Sequence, residues 1–422
     1  MFHTAPNPDG VKDLNANPSG RHSLRVSTNL VSDDLEDDLN GNSLDDVAKG
    51  DSIAQYNVGQ MYEKGEDIPQ SYTKAMHWYM KAARQRNASA QNSIGILYRD
   101  GKGVPQDSSE AKEWFFRAAD QGHAVAQFNL GMMYQQGNDL SKAMEWFIKA
   151  AQQGHAMAQF SVGAMFYVGE VVPRDLSQAM EWYKRAAAQG YSIAQFSIGA
   201  MFDGGEDVSQ NYSTAAEWYF KAANQGYANA QFNLGVLYHH GRGVPQDIPK
   251  AVEWYRKAAD LGLSQAQHFL GLLYHVGDVV PQDKLKAMEW YLKAAEQGDA
   301  NAQFDLGVMY DDGDSVALNH HKAAEWYLKA AQQGYSEAQH ALGETYRHGK
   351  GVPQDYQTAM EWYLRATEQG HADAQVNIGM MYQHGHGVLQ DNQQAFEWYS
   401  KAAAQGSAIA QRKLEALAQR EQ

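Results

Sequence analysis

The sequence predicts an all-α repeat array, and two periodicities predict it. The dipeptide Ala-Gln begins at Ala54, Ala90, Ala126, Ala158, Ala194, Ala230, Ala266, Ala302, Ala338, Ala374 and Ala410; every step is 36 residues except the step of 32 from Ala126 to Ala158. The ten tryptophans, from Trp78 to Trp398, fall one to an interval. A period of this size is the signature of stacked supersecondary units, here ten full repeats and a truncated eleventh. Length agrees, because a single core rarely serves more than roughly 250–300 residues and the chain has 422.

The repeat beginning at Ala230 shows why each unit is a helix pair. Ala230, Leu234 and Tyr238 lie four apart, on one face of a helix A. Ala251, Trp254, Tyr255, Ala258 and Ala259 follow the i, i+3, i+4, i+7, i+8 spacing of an amphipathic helix B. Between them, Gly241-Arg-Gly-Val-Pro-Gln-Asp247 is turn chemistry. Asp247 suits the N-cap of helix B, since its carboxylate can accept from an orphan N–H. Pro249 is tolerated in the first turn, and Gly262 suits the left-handed residue beyond the helix end.

A glycine recurs at the sixth position of every helix A, from Gly59 to Gly379. Inside a helix it costs about 0.5–1 kcal/mol relative to Ala, so something larger must offset it. The expectation is close approach of helix B, with a Trp or Tyr ring over the missing side chain and the Trp rings buried. Glu precedes Trp in nine repeats, with Lys or Arg four residues after it, as in Glu289 and Lys293. Such pairs support a solvated helix face.

The full pattern, Ala-x-Ala-Gln-x-x-Leu-Gly-x-x-Tyr-x-x-Gly-x-Gly-Val-Pro-Gln-Asp-x-x-x-Ala-x-Glu-Trp-Tyr-x-Lys-Ala-Ala-x-Gln-Gly, resembles the Sel1-like repeat over roughly Ser52–Ala418. That repeat is a relative of the tetratricopeptide repeat with a longer loop between its helices. The resemblance implies a right-handed α-solenoid and an adaptor or scaffold role, often in membrane-associated, secretory or signalling complexes, with no shared active site.

Outside the array, residues 1–31 are rich in Pro, Asn, Gly and Ser and are expected to be a disordered tail. Residues 32–51 fit two readings, an acidic capping helix with Leu35, Leu39, Val47 and Ala48 on one face, or a solvated acidic linker. The repeat from Ala126 has lost four tip residues, and Gly137-Asn138-Asp139 replaces the longer loop without touching either helix pattern. The first 30 residues hold no apolar run, so no signal peptide is expected. No stretch approaches the ~20 apolar residues of a membrane-spanning helix. A cytoplasmic location and no direct membrane insertion are therefore expected. The sequons at Asn87 and Asn211 are read as chance.

Chemistry is expected to be absent. With no cysteine there is no disulfide, thiolate metal site or Cys nucleophile. A net charge of −15 disfavours nucleic acid. Of sixteen histidines, the densest groups are His239-His240, His320-His321 and His384-Gly385-His386. Adjacent helical residues point to different sides, so surface histidine is expected rather than a metal site. No nucleophile elbow, Walker loop, dinucleotide fingerprint or His-Glu-x-x-His motif occurs. No cofactor is expected.

A solenoid's fixed positions build its core, so variable positions are the candidate site. The third residue of helix A, counted from the Ala of Ala-Gln, runs Tyr56, Asn92, Phe128, Phe160, Phe196, Phe232, His268, Phe304, His340, Val376. Seven residues on, the same face runs Glu63, Arg99, Gln135, Tyr167, Asp203, His239, His275, Asp311, Arg347, Gln383. An unbroken aromatic run with a mostly uncharged flank selects Phe128, Gln135, Phe160, Tyr167, Phe196, Asp203, Phe232 and His239 as partner contacts. The competing reading packs those rings between neighbouring repeats. The function expected is a non-catalytic adaptor for a protein or peptide. Two alternatives stand beside it, a regulatory subunit of a membrane or secretory enzyme complex of the degradation or chitin-synthase-activator type, and a hydrolase. The second is disfavoured by the missing cysteines and by the lack of a Ser-x-x-Lys motif with a partner base.

Overall fold

The computed structural model describes residues 50–65, 68–205, 208–313 and 316–418. The expectations for residues 1–31, and for 32–51 up to residue 49, lie outside the described residues. Within them the chain is all helix and turn, with no strand. Helix A and helix B alternate from Ser52 to Ala418, nearly all of them 13 residues long. The chain forms two compact units, one reaching His155 and one beginning at Ala156. Taken by itself, the first stacks three described helix pairs; the second stacks seven and ends on the lone helix Ala408–Ala418.

The pairs are bounded as the local chemistry requires. In the sixth repeat helix A is Ala228–His240 and helix B is Ile248–Asp260. Asp247 caps helix B by accepting from the Lys250 N–H at 3.0 Å, Pro249 sits in the first turn, and Gly262 takes φ +90°, beyond the helix end. Asn87 and Asn211, the sequon asparagines, are N-caps as well, accepting from Ala90 at 2.9 Å and Thr214 at 3.0 Å. The shortened repeat keeps both helices, Ala124–Gln136 and Leu140–Gln152. Its turn is made by Asn138 at φ +60° in place of a glycine.

The sixth-position glycine is met by the aromatic residue after Trp. A Cβ on Gly235 would lie 2.7 Å from the Tyr255 ring, and one on Gly307 would lie 2.4 Å from Tyr327. Phe115 and Phe147 replace the tyrosine over Gly95 and Gly131. These rings are buried to within a few per cent of exposure. Burying one contributes about 1.5–3 kcal/mol, which exceeds the cost of the helical glycine. Of the two rings expected, Tyr is therefore the one that closes the pair.

The expectation that the tryptophans are buried needs correction. Only Trp78 and Trp254 are, at 7% and 6% exposure; the other eight are half-buried. The adjacent ring already fills the space between helices, so Trp lies at the rim. There a Lys or Arg three residues on covers its face, 3.7–4.6 Å from the ring centre in all ten repeats. That cation–π contact takes most of the basic residues that the sequence assigned to Glu pairs. Glu113–Arg117, Glu181–Arg185 and Glu253–Lys257 remain ion pairs.

A buried polar rung joins repeats and was not foreseen. The Gln of Ala-Gln is buried in every repeat. Its Oε1 accepts from a Gln just past helix B of the same repeat, at 2.6–3.1 Å in nine repeats. Its Nε2 reaches a carbonyl at the end of the preceding repeat's helix B, as in Gln267 to Ala259 at 3.0 Å. In the sixth repeat Leu261 stands where the donor Gln should be, and Gln231 Oε1 is buried with no partner. An unsatisfied buried acceptor costs about 1–3 kcal/mol. Leu261→Gln is therefore expected to raise stability by about 1 kcal/mol, the low end because position 261 is exposed. Chemical denaturation checks it: an unchanged or lower midpoint means that the rung contributes nothing.

Candidate functional site

Fixed residues turn inward and leave one variable face. On helix A the second, fifth and sixth positions are buried, while the third, seventh and tenth stay half-buried in most repeats. Those three are spaced i, i+4, i+7 and share one face. In the fourth to sixth repeats this face reads Phe160, Ala164, Tyr167; Phe196, Ala200, Asp203; and Phe232, Val236, His239.

Third-position rings rest on the buried tyrosine and on the residue that heads the next helix A. Phe160 lies 5.3 Å from Tyr183 and 5.5 Å from Tyr191; Phe196 lies 5.6 Å from Tyr219 and 5.1 Å from Tyr227. Phe128 stacks on His155 at 4.8 Å. Packing between repeats thus holds these rings, and their outer edges remain at the surface. Burial pushes Tyr191 up to about 12, so its hydroxyl stays protonated.

Tenth-position residues face the hydroxyl of the buried tyrosine. Tyr219 donates to Asp203 at 3.0 Å and Tyr399 to Gln383 at 2.8 Å, and Tyr79 donates to Glu63. In the ninth repeat the acceptor moves to the seventh position, where Glu344 takes the Tyr363 hydroxyl at 2.5 Å and pairs with Arg347 at 2.7 Å. In the sixth repeat neither Tyr255 Oη nor His239 Nδ1 has a partner, although both are buried atoms; Phe269, 4.7 Å from Tyr255, brings no polar group. Where the third position is polar, the fourth position of the next repeat answers it. Asn129 donates to Asn92 at 2.9 Å, His268 meets Asp305 at 2.8 Å, and Asn377 meets His340 at 2.9 Å. Sequence reasoning missed this ladder, whose signal is a polar pair 37 residues apart.

Of the residues selected from sequence, Phe128 and Gln135 lie in the first unit and Phe160, Tyr167, Phe196, Asp203, Phe232 and His239 in the second. Phe232 is buried at 8% exposure, and the other seven are half-buried. Asp203 serves the fold by accepting from Tyr219. The histidines of the three groups make separate contacts and do not converge on one point. His320 meets Asp311 at 2.7 Å, His386 stacks on Tyr356 at 4.9 Å, and the His239 and His240 rings approach to 4.9 Å. Among the described residues no group of three or more His, Asp or Glu is arranged to hold a metal ion, and no helix is long and apolar enough to cross a membrane.

The Sel1 repeat family model matches ten consecutive stretches: 52–87, 88–123, 124–155, 156–191, 192–227, 228–263, 264–299, 300–335, 336–371 and 372–407. Two solved structures are similar over most of the chain. A protective antigen of uropathogenic Escherichia coli strains, displaying an SLR fold, is 36% identical over 88% of this chain and 81% of its own, with a TM-score of 0.71. A Sel1 repeat protein from Oxalobacter formigenes is 34% identical over 72% of this chain and 90% of its own, with a TM-score of 0.58. The search of curated proteins finds no match.

Histidine burial on this face makes stability depend on pH. Burial, with a smaller contribution from His123, pushes His155 down to about 4. The unfolded chain then binds a proton below about 6.5 that the folded chain refuses until about pH 4. Stability rises with pH wherever the unfolded state binds more protons, so it should fall as pH drops from 6.5 towards 4. His155→Tyr, the residue found at the matching positions 191, 227 and 335, should flatten that slope. Melting temperatures between pH 4 and 8 check this; parallel curves for the two proteins would refute it.

Proposed function

The chain belongs to the Sel1 repeat family, and on that premise we propose that it is a non-catalytic adaptor whose helix-A face holds a protein partner. Sel1 repeat solenoids generally mediate protein–protein interaction. The observation that carries the reading is the division of labour within helix A. Invariant positions are spent on the glycine–tyrosine contact and the glutamine rung, and the half-exposed third, seventh and tenth positions change from repeat to repeat. A surface that varies over a constant core is suited to recognition.

Polar groups on this face point the same way. Asp203, Glu344, His268 and Gln383 are engaged by tyrosine hydroxyls or neighbouring repeats, an arrangement that holds shape rather than poising a nucleophile and base. Within the second unit, the centre of the binding face is Phe160, Tyr167, Phe196 and Phe232. Small Ala164 and Ala200 beside the rings leave room for partner side chains, and aromatic anchors dominate interface energy. A net charge of −15 favours a protein or peptide over nucleic acid.

Phe160→Ala with Phe196→Ala should abolish partner capture, and should also lower stability because both rings rest on tyrosines. Tyr167→Ser tests the same face at its tenth position, where the half-buried ring packs beside Phe160 against the Tyr183 cluster. Affinity capture with mass spectrometry is run beside thermal melts for all variants. Loss of the same captured protein from the folded fraction of Tyr167→Ser, together with its loss from the folded double variant, is the expected result. An unchanged capture profile for both variants would sink the reading.

A further inference from the structure

Charge is divided unevenly between the two helices of a repeat. The seven A helices from Ala156 to His384 carry seven carboxylates and a single Lys or Arg, Arg347. Six of those carboxylates fall between Asp305 and Asp373. The one cation is held by Glu344 at 2.7 Å. Cations sit instead on helix B, over the tryptophans. Helix A of the eighth to tenth repeats is therefore net acidic; Asp305, Asp311 and Glu344 are met by His268, His320 and Arg347, and Asp373 stands apart from these pairs at the start of its helix.

The same stretch holds a cleft of ≈ 260 Å³, lined by His340, Glu344, Asp373, Val376, Asn377, Met380 and Ile409. The repeat pattern explains why it is there. In the fourth, fifth and eighth repeats a third-position Phe lies against two tyrosines, one from its own helix B and one heading the next helix A. In the tenth repeat the Phe is replaced by Val376 and the second tyrosine by Ser407. Two rings are missing from one place, and Ile409 beside it is 47% exposed. The closing helix carries Arg412 and Lys413, but neither lines the cleft.

We propose that this cleft receives a basic peptide segment of a partner protein, with a Leu or Phe side chain filling the space of the missing rings and an adjacent Lys or Arg facing Asp373. The inference rests on the adaptor reading and names the partner's chemistry. The apolar side chain supplies desolvated contact area, and the basic one supplies register and salt-sensitive attraction.

The test uses the full chain and fluorescein-labelled twelve-residue peptides in which Arg or Lys flanks one Leu or Phe. Two control sets replace the bases by Glu or the apolar residue by Ser. Anisotropy should show binding by the basic–apolar set alone, weakening as salt rises. Val376→Phe, which restores the ring found in other repeats, should weaken binding at least tenfold, and Asp373→Asn several-fold. Ile409→Arg, at an exposed position, gives the same readout should Val376→Phe lower the melting temperature. The proposal is overturned if no basic–apolar peptide binds the wild type, if the Glu controls bind equally well, or if neither Val376→Phe nor Ile409→Arg weakens binding. Such a failure while Tyr167→Ser still abolishes partner capture removes the cleft and leaves the adaptor reading standing; unchanged capture removes the adaptor reading itself.

Discussion

An aromatic ring pressed onto a helical glycine sets the geometry of every repeat. Tyr or Phe, one residue after the tryptophan, occupies the volume that a Cβ at the sixth position of helix A would need. The two helices can approach this closely only because that Cβ is missing. From this contact the rest follows. Trp is left at the rim, where a Lys or Arg covers it. The tyrosine hydroxyl emerges at the tenth position of helix A and needs an acceptor. The third-position ring, where there is one, leans on that helix-B ring, tilted in most repeats, and becomes the floor of the variable surface.

Stacking of successive repeats uses a different device. The glutamine of Ala-Gln is buried, yet satisfied on both sides, by a glutamine from its own helix B and a carbonyl from the preceding one. A buried amide paired in this way specifies one register between neighbours, whereas an apolar contact would tolerate sliding. The sixth repeat lacks the polar partner of each device. Leu261 leaves Gln231 short of a donor, and His239 with Phe269 leaves Tyr255 short of an acceptor. The ring-over-glycine contact at Gly235 is intact there, so the pair holds while its polar supplements do not.

Helix identity, helix ends and the glycine contact were legible because each is local or strictly periodic. Asp247, Pro249 and Gly262 announce their roles within a few residues. The choice between Trp and Tyr over glycine was not legible, because residues one apart on a helix differ by about 100° in direction, and only the crossing of the two helices decides which faces in. Non-local pairings were missed for a similar reason. Gln297 to Gln267 spans 30 residues and His268 to Asp305 spans 37, and neither pairing repeats a local helix spacing. The candidate site was legible as a face and not as a set of contacts. Phe128, Phe160 and Phe196 share that face as read, but their packing on Tyr and His, and the commitment of Asp203 to Tyr219, depend on the neighbouring repeat. The cleft at Val376 comes from side chains that are absent, which a search for aromatic anchors passes over.

The most direct measurement of the central claim is a double-mutant cycle on Gly235 and Tyr255. On helix propensity alone, Gly235→Ala should stabilise by about 0.5–1 kcal/mol. If the ring occupies the space of the missing side chain, Gly235→Ala in the wild-type background should instead destabilise by about 1–3 kcal/mol through overpacking. In a Tyr255→Ala background, with the ring removed, the same change should become neutral or stabilising. Denaturation of the four proteins measures the coupling. A sign reversal between backgrounds is the predicted result, and stabilisation of similar size in both would contradict the account.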